Sequence, residues 1–286
     1  MKVLLVGGNG QLGRELQHTK PRGWRLEVPD SKTLNLLDRS AAMRDVIRSA
    51  PDIIINASGY TAVDQAEAEP LKAFAVNGKG AGMLAEAAVE AGARLIHIST
   101  DYVFDGRQST PYKTADTPRP INVYGASKLA GERQVRRAAD NALIIRTAWL
   151  YSVYGHNFVK TMLRLMNGRD RLEVVADQIG SPTWARGLAE VIWQASEKDL
   201  AGLYHWTDDG IASWFDLAVA VYEEARDLGL LSRLVMIRPI RSDEYRAAAR
   251  RPAYSVLDQN GSWQTLGRSL CHWRHNLRRM LSFLEK

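Results

Sequence analysis

Tyr124 and Lys128 stand four residues apart in "NVYGASKLAGE", residues 122–132. Four residues is just over one helical turn, so the phenol and the ammonium share a face and point into the same space. An ammonium beside a phenol favours phenolate and lowers the phenol's pKa from its ordinary value of about 10, making it a usable proton donor near neutrality. A surface tyrosine and lysine can share a face with no chemistry attached, so the pair gains meaning only from its company. Thr100 follows the apolar run "RLIHIS", where a parallel strand would end at the edge that takes ligands, and its hydroxyl can hydrogen-bond a carbonyl. Standing alone it reads as a cap of the next turn.

Reducing a ketone also needs a hydride donor. Directly after the first apolar run, "GGNGQLG" sets Gly7, Gly10 and Gly13 in a G-x-x-G-x-x-G pattern. The first glycine permits a tight turn, the second lets a pyrophosphate approach the backbone, and the third allows a helix to pack closely on the strand. The N–H groups of Gln11 and Leu12 at the helix start offer an anion site, reinforced by the helix dipole. With Asp30 just past the second apolar run, the context is that of a dinucleotide-binding turn. Asp30 suits an unphosphorylated adenosine ribose, whereas Arg14 and Lys32 suit a 2'-phosphate, so NADH and NADPH both stay open.

These groups must be held by a scaffold, and the first half of the chain supplies its rhythm. Short β-branched runs at 2–6, 24–28, 52–56, 94–99 and 142–146 alternate with helical stretches. That alternation argues for parallel strands joined by crossover helices, and continuous apolar runs fit strands buried on both faces. A helical pattern from Leu71 ends at Gly92, a helix stop before the next strand. After about residue 150 the rhythm loosens into a helix near 157–167, a strand at "LEVV", a helix from Pro182 to about Ala195, and a Trp- and Arg-rich remainder. The expectation is an α/β chain: a Rossmann-type doubly wound parallel sheet in residues 1–150 with a returning helix near 182–200. A smaller, interwoven substrate-binding lobe would come from 151–181 and 201–286.

Composition sets the bounds. At 286 residues, 45% apolar and 24% charged, the chain is that of an ordinary globular protein able to bury a sizeable core. The single cysteine, Cys271, rules out an intrachain disulfide, and no Cys/His cluster has zinc-site spacing, which suits a reducing cytoplasm. The apolar run "VLLV" stops at Gly7, too short for a signal peptide, and no stretch is long enough to span a bilayer. A formal charge of +6 is spread along the chain, so anionic small molecules explain it as well as nucleic acid does, and nucleic acid is the weaker alternative.

Taken in order, "GGNGQLG", "NASGYTAVDQAEAEP", "ISTDYVFDG", "INVYGASKLAGE", "RTAWLY", "NFVKTMLRL", "DQIGSPT" and "ARRPAYSVLD" resemble the dTDP-4-dehydrorhamnose reductase family of the extended short-chain dehydrogenase/reductase superfamily. The resemblance runs from residue 1 to about 258. It implies reduction of the C4 ketone of dTDP-4-dehydro-L-rhamnose by NADPH or NADH, with Tyr124 as general acid, Lys128 also holding the nicotinamide ribose, and Thr100 as the third catalytic member. It further implies cofactor contacts at Gly10, Gln11, Leu12 and Asp30, around Gly59, Tyr60 and Thr61, and at Asn35 and Leu36, where the family commonly shows Asp in place of Asn35. Asp101 and Trp149 match the family's substrate contacts.

The resemblance also suggests that Arg250 or Arg251 clamps the nucleotide diphosphate, and that the protein is a homodimer. Some relatives bind Mg²⁺ between subunits, and Glu15 stands at a matching place; by itself a lone glutamate in a helix reads as a solvated side chain. Two other readings stay in view: a related nucleotide-deoxysugar 4-ketoreductase, and a non-catalytic NADP-binding regulatory subunit resembling that of methionine adenosyltransferase.

Overall fold

The computed structural model describes residues 1–266 and 271–284. Six strands pair in parallel in the order β10-β5-β4-β3-β1-β2. They are β1 (Lys2–Val6), β2 (Arg25–Glu27), β3 (Ile53–Asn56), β4 (Arg94–Thr100), β5 (Leu143–Thr147) and β10 (Gly202–His205). Every residue of β3 and β5 is buried, as expected of strands covered on both faces. Helices α1 (Gln11–His18) and α8 (Ala185–Glu197) cover one face through Leu12, Leu16, Leu188 and Ile192. Helices α2 (Arg39–Ser49), α5 (Ala81–Glu90) and α6 (Val123–Ala138) cover the other through Val46, Leu84 and Val135. Each such aliphatic side chain contributes about 1.5–3 kcal/mol on full burial.

Two sequence-based boundaries move. The helix expected from Leu71 to Gly92 is three pieces: α4 (Pro70–Phe74), a π-helical segment Ala75–Gly80, and α5. The helix expected from Pro182 starts instead at Ala185, because Thr183–Trp184 pairs in parallel with Leu150–Tyr151 as β9 with β6. Strand β10 carries glycine, tyrosine and histidine rather than an apolar run, so periodicity does not mark it; its pairing with β5 does.

A second core lies beyond the sheet. It is built by α7 (Phe158–Gly168), α9 (Trp214–Asp227), α11 (Trp273–Ser282) and the parallel pair β7 (Arg171–Val175) and β12 (Met236–Ile240). Ser213 caps α9 with a reciprocal Asp216 capping box, which satisfies two N–H groups at the helix start. The short pair β8 (Ile179–Gly180) and β11 (Ala212–Ser213) runs antiparallel beside it. The remaining helices are α3 (Val63–Ala68), just after β3, and α10 (Ser262–Leu266).

Candidate active site

Order reverses between β1 and β3, and the glycine turn and the loop after β3 meet at that switch point. Gly7 has φ +88°, and a Cβ there would sit 2.5 Å from the Ser58 nitrogen, so only glycine fits. A Cβ on Gly13 would meet the Gly7 carbonyl oxygen at 2.3 Å, whereas one on Gly10 would meet nothing closer than 3.4 Å. The third glycine therefore serves packing, and the second leaves its approach open. No side chain caps α1 at Gly10, which leaves the first-turn N–H groups for an anion. This cradle suits a dinucleotide pyrophosphate.

The loop 58–61 is held from behind. Buried Asn77, in the π-helical segment, accepts from the Tyr60 N–H at 2.7 Å and donates to the Tyr60 carbonyl at 3.1 Å and to Ser127 Oγ at 2.9 Å. Short π-helical insertions recur at functional sites, and this one ties the loop to α6. Nothing in the sequence pattern singled out Asn77, because its partners lie 17 and 50 residues away.

Helix α6 starts where Asn122 accepts the Gly125 N–H at 2.7 Å, an N-cap that sets Tyr124 in the first turn. Two glycines in α6 permit its close approach to the turn after β4 and to the π-helical segment. A Cβ on Gly125 would meet the Tyr102 carbonyl at 2.1 Å, and one on Gly131 would meet the Asn77 carbonyl at 2.2 Å. This seating brings the phenol of Tyr124 beside Thr100 at the end of β4.

Lys128, 5% exposed, donates from Nζ to the Ile98 carbonyl at 2.6 Å. Burial draws its pKa down to about 8, with Glu132 one turn on opposing the fall. Glu132 in turn accepts from Arg146 Nε at 2.8 Å and Nη2 at 2.7 Å, and from the Ser99 hydroxyl. The expectation that Lys128 sets the phenol's acidity needs correction. Burial pushes Tyr124 up to about 12, the Thr100 hydroxyl pulls it back, and the Asp101 carboxyl adds to the rise. The ammonium is engaged by a backbone carbonyl, so the Thr100 contact is the local influence that favours phenolate.

Together these groups line one cleft of about 760 Å³. Its walls include Gly7, Gly10, Gln11, Leu12, Gly59, Thr61, Thr100, Asp101, Tyr124, Lys128 and Trp149. Gly13 is not among them, consistent with its packing role. Tyr60 is also outside, its phenol donating to Glu69 Oε2 at 2.7 Å. Asp30 is turned to its own loop, where it accepts from the N–H groups of Lys32 at 3.0 Å and Thr33 at 2.8 Å; these bonds, Thr33's first, lower its pKa. Exposed Asn35 accepts the Leu37 N–H, and Leu36 packs against Gly80. Asp30, Asn35 and Leu36 thus lie apart from the cleft walls.

Gly155, His156, Asn157 and Trp214 are among the wall residues that the sequence reading did not assign to the site. Asn157 Nδ2 donates to Gln11 Oε1 at 2.9 Å, joining the second lobe to the glycine turn. Trp214 stacks on Trp149 and also borders a neighbouring hollow of about 860 Å³ lined by Gln178, Tyr245 and Arg251 among others. Arg251 is paired with Asp64 at 2.6 and 3.1 Å. Arg250 is exposed, and its carbonyl accepts from Asn122. Glu15 is 2% exposed and accepts the Ser152 hydroxyl at 2.6 Å, and burial raises its pKa. Among the described residues no group of three or more His, Cys, Asp or Glu could hold a metal ion. Nor does any described helix have the length and apolarity to cross a membrane.

Fold and site together define a dinucleotide-binding α/β protein of the Rossmann type with a Tyr–Lys pair at the strand ends. The family described as "RmlD substrate binding domain" matches residues 1–285. The dTDP-4-dehydrorhamnose reductase of Aggregatibacter actinomycetemcomitans is 39% identical over 292 residues, covering 99% of both chains. Among solved structures, a dTDP-4-dehydrorhamnose reductase of Clostridium acetobutylicum ATCC 824 superposes with a TM-score of 0.95 at 36% identity, covering 100% of both chains. That of Bacillus anthracis str. Ames, in complex with NADP, gives 0.93 at 40% identity, covering 100% of this chain and 99% of its own. The chain belongs to the dTDP-4-dehydrorhamnose reductase family.

Proposed function

We propose that this protein reduces the C4 ketone of dTDP-4-dehydro-L-rhamnose to the alcohol of dTDP-L-rhamnose, using NADPH or NADH. The observation that carries the reading is that Thr100, Tyr124 and Lys128 border the same cleft as the glycine turn. The nicotinamide cofactor, when bound, supplies the hydride. Gly10, Gln11 and Leu12 hold its pyrophosphate at the start of α1, and Lys128 holds its ribose. The Thr100 hydroxyl orients the ketone oxygen, and Tyr124 gives up its phenolic proton as the alkoxide forms. Such general acid help contributes about 10²- to 10⁴-fold in rate.

Asp101 and Trp149 face the sugar in this reading, and the 860 Å³ hollow beyond Trp214 takes the nucleotide. Arg251, bordering that hollow, is better placed than Arg250 to meet a diphosphate. Residues 1–150 with the returning α8 and β10 form the dinucleotide-binding part, and the rest the substrate lobe. The enzyme acts in the cytoplasm as a homodimer, a state that light scattering checks.

Mixing protein, NADPH and the 4-ketosugar tests the reading through the absorbance of NADPH at 340 nm. Decay that depends on all three supports it. Intact NADPH binding without decay would mark a regulatory subunit instead.

A further inference from the structure

Among the described residues, three arginines border the hollow of about 860 Å³: Arg169, Arg171 and Arg251. The first two are exposed, whereas the Arg251 side chain is 19% exposed and is held at one end of its guanidinium. Nη1 donates to Asp64 Oδ1 at 3.1 Å and to the Ala249 carbonyl at 3.0 Å, and Nη2 donates to Asp64 Oδ2 at 2.6 Å. A guanidinium has five N–H groups in one fixed plane. The three bonds leave Nε–H and the second proton of Nη2, which run parallel along the remaining edge, with no partner among the described residues. Such an edge matches two oxygens of a phosphate.

Asp64 stands in the first turn of α3, and its Oδ1 also accepts the Ala249 N–H at 2.9 Å. Glu67, on the same helix, accepts the Val123 N–H at 2.8 Å at the head of α6, and Asn122 Nδ2 donates to the Arg250 carbonyl at 2.8 Å. The segment 249–251 is therefore seated on the same frame as Tyr124. Arg251's hydrogen bonds, the largest influence on it, keep the Asp64 carboxyl below its ordinary pKa, so the pair is charged at neutral pH. With Asp64 49% exposed, such a pair adds little to stability. What it supplies is order: a long side chain is fixed before the ligand arrives, and binding need not meet that cost.

We propose that Asp64 is the positioning residue of the nucleotide hollow: it grips Arg251 end-on, so that the free Nε–Nη2 edge stands ready for two oxygens of the substrate's diphosphate. The proposal rests on the reductase reading above and deepens it by naming the group that prepares the diphosphate site. A carboxylate this close also weakens the pull of the cation on an anion. Repulsion and positioning therefore predict opposite signs when Asp64 loses its charge. Asparagine at 64 separates them, because its single oxygen still serves the Ala249 N–H and Nη1 while its amide NH₂ faces Nη2 and cannot accept. The segment stays anchored, and the grip on the guanidinium is lost.

Titration calorimetry with dTDP, on protein saturated with NADPH, reads the site without turnover. Asp64→Asn should weaken dTDP about tenfold, the worth of a charge-assisted hydrogen bond, while NADPH affinity stays near wild type. KM for the 4-ketosugar should rise in step with kcat held, the mark of lost uniform binding. In an Arg251→Ala background the same substitution should change nothing further, because the group it positions is gone. Unchanged or tighter dTDP binding in Asp64→Asn overturns the proposal, and so does an equal loss in both backgrounds, which would make Asp64 a general support of the lobe. If Asp64→Asn does not fold, Arg251→Lys decides: lysine keeps the charge without the second edge, so a loss as large as that of Arg251→Ala supports the proposal and wild-type affinity overturns it. Wild-type protein that binds dTDP yet never oxidises NADPH strikes the reductase reading and leaves the positioning in place; wild type that binds no dTDP overturns both.

Discussion

Trp149 lies face to face with Trp214, ring centroids 3.5 Å apart and planes within 5°. Trp149 holds a left-handed backbone at φ +48°, a conformation that costs a bulky residue about 1–3 kcal/mol and persists only where its surroundings enforce it. Here they do: a Cβ on Gly180 would fall 2.6 Å from the indole, so only glycine leaves the ring its place. Trp214 borders both the cleft and the neighbouring hollow, and is the shared wall between them.

Trp214→Ala should therefore release Trp149 into the sugar site. An aromatic pair is worth about 0.5–1.5 kcal/mol beyond the area it buries, so KM for the nucleotide sugar should rise by about 2- to 12-fold. Affinity for NADPH should hardly change. Steady-state kinetics with each substrate varied in turn checks this, and an equal loss on both substrates would contradict the wall.

Gly10 and Gly13 should respond differently to the same added methyl. At Gly13 the new Cβ meets backbone at 2.3 Å, which cannot yield without moving α1 off the sheet, so Gly13→Ala should lower Tm by several degrees. At Gly10 the nearest atom is 3.4 Å away, so Gly10→Ala should keep Tm within a degree or two while weakening NADPH binding tenfold or more. Thermal unfolding and fluorescence titration of the two variants make the comparison.

What was legible in the sequence is what local spacing determines. The glycine turn sets its own geometry within seven residues, the Asn122 cap and the i, i+4 placement fix the Tyr124 helix face, and β1, β3, β4 and β5 announce themselves as β-branched runs. What stayed hidden depends on partners far along the chain. Strand β10 is a strand because β5 offers it a ladder, and the π-helical segment is set by how Asn77 grips Tyr60 and Ser127. Lys128 was read from its spacing to Tyr124, yet its ammonium goes to Ile98 on β4, 30 residues earlier. The box Ser213–Asp216 was a readable helix start, and it would have placed Trp214 at the head of α9.

Tyr124→Phe should lower kcat by about 10²- to 10⁴-fold, the usual worth of a positioned general acid. Tyr124 packs edge-on against Tyr102 at 5.8 Å between centroids, and phenylalanine retains that contact. NADPH binding and Tm should accordingly stay near wild type. A variant with near-normal kcat would remove the phenol from the chemistry.

Asp208 offers a test of stability away from the cleft. It is 4% exposed, accepts the Trp184 N–H at 3.0 Å and the Tyr151 hydroxyl at 3.5 Å on Oδ2, and burial pushes its pKa up to about 7. The folded state therefore holds a proton that the unfolded chain releases near its ordinary value of 3.8. Where the folded state binds more protons, stability falls as pH rises, so Asp208 costs progressively more between about pH 4 and 7 and stays costly above. Asparagine keeps an acceptor for Trp184 and never ionises. Asp208→Asn should thus gain on wild type by about 2–3 kcal/mol more at pH 8 than at pH 5. Urea unfolding of both proteins at the two pH values measures that difference; an equal gap at both would mean the carboxyl titrates alike in the folded and unfolded chains.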